Sequence, residues 1–348
     1  MQHAKLSPSS SARWLSCTGS VKAEQAFPSS TTSYAAEGTT AHALAELCLT
    51  TNDHPTKYIG QTLEGHIVDE DMAEHIAAYC AYVKSYSGVH LYEHRFSLTK
   101  WIPDSFGTSD AVVIDEANKT AHIIDLKYGK GVSVDAEQNT QAMLYALGVI
   151  DDLGFMYEFD TVVIHIYQPR IKNYSSWQTS TKYLLEWAEW VSQRAKETQL
   201  PDAPRTPSDK ACQWCKAKAT CKALLDHTHN VIMNDFDDLT SINPDTLTDN
   251  ELRVVMDNAK LIKSWLDAVE AHIFDKLNNG QAFDGYKLVE GRSTRTWQDE
   301  QQAAILLADK VPSDKLFTQK LISPAQAEKL LKNDKELFAS LVTKSAGK

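Results

Sequence analysis

The stretch HIIDLKYGKG, residues 122–131, places Asp125 and Lys127 two positions apart in an apolar run. Strand geometry sends alternate side chains to one face, so this carboxylate and ammonium would stand side by side. A second acid, Asp110, ends the segment GTSD just before AVVIDE, and a polar turn at Ala117–Asn118 joins the two runs. Pairing symmetric about that turn sets Asp110 opposite Asp125. Like charges facing each other across a sheet are destabilising unless something neutralises them. A hard divalent cation such as Mg²⁺ or Mn²⁺ does so through carboxylate oxygens. Lys127 would then orient a water or stabilise charge developing on a phosphate. The chemistry that fits is metal-dependent phosphodiester cleavage. The plainer alternative is a solvated hairpin with an ordinary Asp125–Lys127 salt bridge, which the apolar flanks disfavour.

A second constellation is CQWCKAKATC, with Cys212, Cys215 and Cys221 spaced C-x₂-C-x₅-C. No cysteine follows, so a fourth ligand must be Cys17, far upstream in RWLSC, or a nearby His227 or His229. Iron–sulfur and zinc chemistry both take such ligands, and the spacing does not separate them. The plain reading is three reduced thiols on a surface helix. Cys48 and Cys80 lie in apolar helical patterns and are expected in the core. Lys210, Lys216, Lys218 and Lys222 surround the trio with no acid between them, a local basic patch suited to phosphates. Trp214, within that patch, is expected to be buried beside the cysteines, the alternative being a base-stacking role. Arg170, Lys172 and Tyr174 follow an apolar run and are further candidates to face a substrate.

These groups need elements to hold them. The 348 residues, 43% hydrophobic and 23% charged, describe an ordinary globular protein. The N-terminal segment lacks the apolar centre of a signal peptide and no later run is long enough to span a bilayer, so a cytoplasmic protein without a membrane partner is expected. The net charge of −11 argues against a protein that coats nucleic acid, but it does not exclude a nuclease. Helical spacing predicts helices over about 33–50 and 69–87, and strands over 89–98, in TSDAVVIDE and in TAHIIDLKYG. A helix over 135–150 with Asp135 as its N-cap, a fourth strand in DTVVIHIYQPR and a helix over 179–199 follow. The pattern predicts an α/β fold, a mixed sheet flanked by helices, over residues 1–230. A polar linker over 231–250 and a mainly helical region over 251–348, with a short hairpin in GYKLVEGRSTRTW, complete the expected organisation.

The motifs together resemble the PD-(D/E)XK nucleases of the RecB-type branch. GTSD (107–110) and DLK (125–127) are similar to that superfamily's second and third motifs, although Ser109 stands where many members carry proline. QAMLY (141–145) resembles the Q-x-x-x-Y motif, and EGTTAH (37–42) the first motif with its metal-binding histidine. The resemblance implies a restriction-endonuclease-like core in which His42, Asp110, Asp125 and the Leu126 carbonyl hold Mg²⁺ or Mn²⁺. It implies Lys127 as catalytic lysine, Gln141 and Tyr145 near DNA, and Glu37 close to the site. One cysteine before the core and three after it resembles the iron–sulfur subgroup, which includes the AddB nuclease domain and the nuclease of CRISPR adaptation. That implies a [4Fe–4S] cluster on Cys17, Cys212, Cys215 and Cys221, with structural Zn²⁺ as its rival. The chain layout also resembles a family of phage and prophage proteins. The expectation is a DNA exonuclease acting on ends or single strands in phage replication or recombination, with Lys216, Lys218, Arg170 and Lys172 as DNA contacts and phage replication proteins as partners. A non-catalytic DNA-binding or scaffold subunit is the alternative.

Overall fold

The computed structural model describes residues 4–27, 33–234, 249–289 and 300–308, together with 312, 327, 336 and 341–342. The chain forms two compact units, 1–284 and 285–348. In the first, the short helices α1 (Ser11–Ser16) and α2 (Ser20–Ala23) precede the long α3 (Ser33–Thr51). A two-stranded ribbon, β1 (Thr62–Leu63) and β2 (His66–Ile67), leads to α4 (Glu70–Lys84), whose N-cap Asp69 accepts from Met72 N–H. Five strands follow: β3 (Val89–Ser97), β4 (Phe106–Asp115), β5 (Thr120–Leu126), β6 (Thr161–Gln168) and β7 (Asn173–Ser180). Helix α5 (Thr140–Leu153) connects β5 to β6, and α6 (Thr181–Glu197) follows β7. Then come α7 (Asp209–Cys212), α8 (Lys222–Asn234) and α9 (Asp249–Asn278); α10 (Glu300–Leu307) belongs to the second unit.

The sheet runs β3-β4-β5-β6-β7. It is antiparallel except between β5 and β6, where the α5 crossover demands a parallel pair. It is thus a mixed sheet, and helices cover both of its faces. One core gathers Trp14 and Leu15 of α1, Met143 and Leu144 of α5, and Leu184 and Val191 of α6 against Val112, Ile114 and Ile123. The other gathers Leu44 of α3 and Ile76 and Tyr79 of α4 against Val113, Ile124 and Leu126. Alternation along β4 and β5 explains the division, because neighbouring residues there enter opposite cores. Cys48 and Cys80 lie buried in the second core, as their apolar helical settings predict.

Several elements differ from the sequence reading. Helix α5 begins at Thr140 with Asn139 as its cap, accepting from Ala142 N–H. Asp135 instead caps a local turn, accepting from Glu137 N–H and from Ser175 Oγ. Strand β7 is additional: NYSSWQTS is too polar to announce a strand, yet it pairs antiparallel with β6 along its whole length. Helix α8 continues through Asn234, so only 235–248 of the expected linker lies outside the described residues, as do 290–297 of the expected hairpin. Helix α9, expected to start a separate region, packs within the first unit against the cysteine segment, burying Leu261 with Cys17, Cys212 and Leu224.

Candidate active site

The hairpin register agrees with the sequence-derived pairing: Ala111 faces Ile124 and Val112 faces Ile123, which carries Asp110 to the place opposite Asp125. The β3–β4 register, Tyr92 with Ala111 and His94 with Ser109, sets Glu93 opposite Asp110. The ladder is interrupted at that one pair, where Glu93 adopts a left-handed φ of 43°. Non-glycine residues in this region are uncommon, and such strain gathers at functional sites. Three acids therefore form a row across three adjacent strands.

From α3, His42 Nδ1 lies 3.1 Å from Asp110 Oδ1 and 4.0 Å from Glu93 Oε1. His42, Glu93 and Asp110 bring ligand atoms within 4.8 Å of one another, a triad able to hold a metal ion. The other oxygen of Asp110 accepts from Leu126 N–H at 2.7 Å, tying β4 to the end of β5. Asp125 is only 2% exposed. Its Oδ1 accepts from Gln141 Nε2 at 3.3 Å. Its Oδ2 is buried without an aligned hydrogen bond, and Lys127 Nζ faces it at 2.9 Å as a bare charge pair. A buried carboxylate oxygen left in that state costs free energy unless a cation completes it. The triad of one imidazole and two carboxylates, His42, Glu93 and Asp110, has the donor types a hard divalent ion accepts.

Gln141, the N-terminal-turn residue of α5, binds three partners at once. Its Oε1 accepts from Lys127 Nζ at 3.0 Å, while Nε2 donates to Tyr145 Oη at 2.8 Å and to Asp125. Gln141 and Tyr145 are one helical turn apart and share a face, as the spacing predicts. Tyr145 itself is buried. Gly107 permits this, since a Cβ there would stand 2.8 Å from the Tyr145 ring.

The charged groups of the site shift one another's titration. Burial disfavours a charged His42, but the Asp110 carboxylate overrides it and raises the imidazole to about 9. Burial, reinforced by the charge on Asp110, lifts Glu93 to about 7 against the pull of His42. Burial also raises Asp125, with Lys127 opposing and Asp110 adding to the shift. For Asp110 burial acts upward, yet the His42 charge and hydrogen bond, with Lys127 and the Leu126 N–H, hold it below the ordinary range. Lys127 is raised: burial works against its charge, and Asp125 and Asp110 outweigh it.

The remaining candidates divide. Arg170 Nη1 is bound to Glu37 at 2.6 Å, and the guanidinium lies over the Tyr128 ring with only 11% of the side chain exposed. Glu37, expected close to the site, is engaged by Arg170. Lys218 is likewise engaged, with Gln213 O and Ser264 Oγ. Lys172 is exposed at the left-handed turn before β7, and Tyr174 packs on Tyr167. Lys216 is exposed, and Trp214, expected to be buried, is 70% exposed. Its ring faces outward because the apolar cluster is filled by Cys17, Ala211, Leu224, Leu261 and Trp265.

Cys17, Cys212, Cys215 and Cys221 line one pocket, so the fold brings together thiols almost two hundred residues apart. Thr206 N–H donates to Cys17 Sγ at 3.3 Å. Ser20 Oγ in the pocket wall and Trp265 Nε1 beside it are buried without partners. Among the described residues no three of these sulfurs, nor two with His227 or His229, approach within 4.8 Å of one another. A single tetrahedral zinc would hold its sulfurs about 3.8 Å apart.

Comparison with known proteins places the whole chain. Residues 3–348 match the family described as "Protein of unknown function (DUF2800)". The chain belongs to that family. The solved structure described as "Crystal structure of SSO0001" is similar at 12% identity, covering 60% of this chain and 83% of that one, with a TM-score of 0.27, a likeness that carries no argument. Among the described residues no helix is long and apolar enough to cross a membrane.

Glu93 is the site residue that sequence reading missed. In VHLYEHRFSL it passes for the polar half of an amphipathic strand. The signal was register: the pairing that sets Asp110 against Asp125 extends, one strand further, to Glu93.

Proposed function

We propose that the protein is a divalent-cation-dependent DNA phosphodiesterase, an exonuclease acting on DNA ends or single strands. The observation that carries this reading is the row of Glu93, Asp110 and Asp125 with a buried Asp125 oxygen lacking an aligned hydrogen bond beside Lys127. His42, Glu93, Asp110 and Asp125, with the Leu126 carbonyl, would hold Mg²⁺ or Mn²⁺, which supplies Lewis-acid polarisation of a phosphoryl oxygen and activation of water. Lys127 is the group that meets substrate. Its ammonium donates to Gln141 Oε1 and stands 2.9 Å from Asp125 Oδ2, and from there it would meet the attacking water or a phosphoryl oxygen. Gln141 fixes that ammonium and so acts as a positioning residue.

The resemblance to RecB-type nucleases supports the same assignment, and the resemblance to phage and prophage proteins supports a setting in phage DNA replication or recombination. The four-cysteine pocket is read as the seat of a [4Fe–4S] cluster. Ser20 Oγ, a donor buried without a partner in the pocket wall, suits a sulfide acceptor. The test is cleavage of linear and circular DNA, single- and double-stranded, by anaerobically purified protein with Mn²⁺, Mg²⁺ or EDTA. Metal-dependent loss of linear substrate, abolished in Asp125→Ala and Lys127→Ala, is the expected result. Undiminished cleavage in both variants would remove these residues from the chemistry. No cleavage by cluster-loaded protein would favour the scaffold alternative.

A further inference from the structure

Tryptophan is large and seldom left in water, so Trp214 at 70% exposure on a well-held loop asks for a ligand. The loop backbone is fixed on both flanks. Cys212 N–H donates to Ser208 O at 2.8 Å and Gln213 N–H to Asp209 O at 3.0 Å. Beyond the tryptophan, Cys215 N–H donates to Cys212 O at 3.2 Å and Lys216 N–H to Glu24 Oε1 at 2.8 Å. The Trp214 carbonyl accepts from Arg13 Nη1 at 3.4 Å, and Arg13 pairs with Glu24 at 2.9 Å. The indole is thus presented on a pre-set backbone, which lowers the ordering cost of binding.

Charge around it narrows the ligand. Lys210 and Lys216, before and after it in the sequence, are exposed, and no acid occurs between Lys210 and Lys222 in a chain whose net charge is −11. A flat π face on a loop that carries lysines before and after it suits a polyanion that carries its own flat faces. In a duplex those faces are covered by neighbouring bases, whereas an unpaired strand leaves them open.

Position links this surface to the carboxylate row. Arg13, which holds the Trp214 carbonyl, lies two residues from Ser11 on α1. Ser11 Oγ bonds Thr140 Oγ1 at 2.7 Å, and Thr140 immediately precedes Gln141 on α5.

We propose that Trp214 is a stacking platform for an unpaired base of single-stranded DNA, with Lys210 and Lys216 contacting the adjoining phosphates. The inference rests on the DNA-directed reading above and adds the strand type and the residue that grips it. Alternative claims on the surface, such as a protein partner, are decided by the same experiment.

The test is fluorescence anisotropy of labelled oligonucleotides with the full chain, in EDTA and at one fixed ionic strength, so that no turnover occurs. Wild type, Trp214→Ala and Trp214→Phe are compared on a single strand, the same strand with abasic residues, and a blunt duplex. Trp214→Ala is expected to weaken binding of the normal single strand between about five- and hundredfold. Trp214→Phe should recover part of that loss, and the abasic strand should not distinguish the three proteins. Equal binding of the normal strand by wild type and Trp214→Ala, or an equal loss on the abasic strand, overturns the proposal, as does wild type that binds no single strand. Because turnover is absent, these results leave the cleavage reading to its own assay. A wild type that grips single strands but cuts nothing would sink that reading and keep this one.

Discussion

At the scale of single residues, Gln141 connects the parts of the site that must act together. It holds the Lys127 ammonium, an oxygen of Asp125 and the Tyr145 phenol, so its loss leaves Lys127 anchored only by a charge pair. Gln141→Leu is expected to lower cleavage about a hundredfold with little change in DNA affinity, because a displacement of about 1 Å costs that much. Steady-state kinetics check it, with the loss falling on kcat. On the α4 side of the sheet, His165 Nδ1 lies 2.9 Å from Tyr82 Oη and its Nε2 3.1 Å from His122 Nδ1. Burial, with the charge of His122 adding to it, lowers His165 from its ordinary 6.5 to about 4. The unfolded chain therefore binds the extra proton first as pH falls. The stability at stake is fully present above pH 6.5 and is lost as pH drops towards 4, roughly 3 kcal/mol in all. Denaturant titrations across that window should show the loss in wild type and a flatter profile in His165→Phe. Asp110, Asp125 and Lys127 were legible in the sequence because their types conflict with the apolar strands that carry them. Glu93 and Trp214 were not. A glutamate on a half-buried strand looks solvated, and nothing in CQWC says which way an indole turns.

At the scale of elements, long helices and apolar strands were legible by periodicity, while polar edges and caps were not. Strand β7 alternates between half-buried and exposed positions and is held mainly by its ladder to β6, so its composition carries no apolar signal. The start of α5 shifted for a comparable reason: Asp135 and Asn139 are both good caps, and Ser175 of β7 decides between them by engaging Asp135. Glycine at 107 shows how strand and helix are fitted. An added methyl would press on Tyr145 and on Pro8, the latter at 3.0 Å. Gly107→Ala is expected to cost about 1–3 kcal/mol by overpacking. It should also lower cleavage by displacing the Gln141–Tyr145 pair. Thermal unfolding and activity measured on the same preparation separate the two effects.

At the scale of the whole molecule, the first unit is closed by bringing its N-terminal helices against residues near position 220. Cys17, Cys212 and Leu224 share one small core with Leu261 of α9, and Thr206 reaches back to Cys17 and Ser16. A group bound by the four thiols would close a loop of nearly two hundred residues, for which the loop-closure contribution is largest. Cys17→Ser is expected to remove the visible iron–sulfur absorbance and to lower the unfolding temperature while leaving the far-ultraviolet spectrum near native. The pairing of these cysteines was legible only through family resemblance, since spacing alone left zinc, iron–sulfur and free thiols open. The packing of α9 against them was not legible, because an amphipathic helix does not name its partner.

The central claim is that His42 and the row of Glu93, Asp110 and Asp125 form a divalent-cation site. Calorimetric titration of Mn²⁺ into the full chain tests it most directly, in wild type beside Asp110→Asn and Glu93→Gln. Saturable binding at this site, accompanied by proton release and weakened at least tenfold in both variants, is the expected result. Proton release follows because His42 must give up its proton to become a ligand. Wild-type protein that takes up no Mn²⁺, or variants that bind it as tightly as wild type, would contradict the claim.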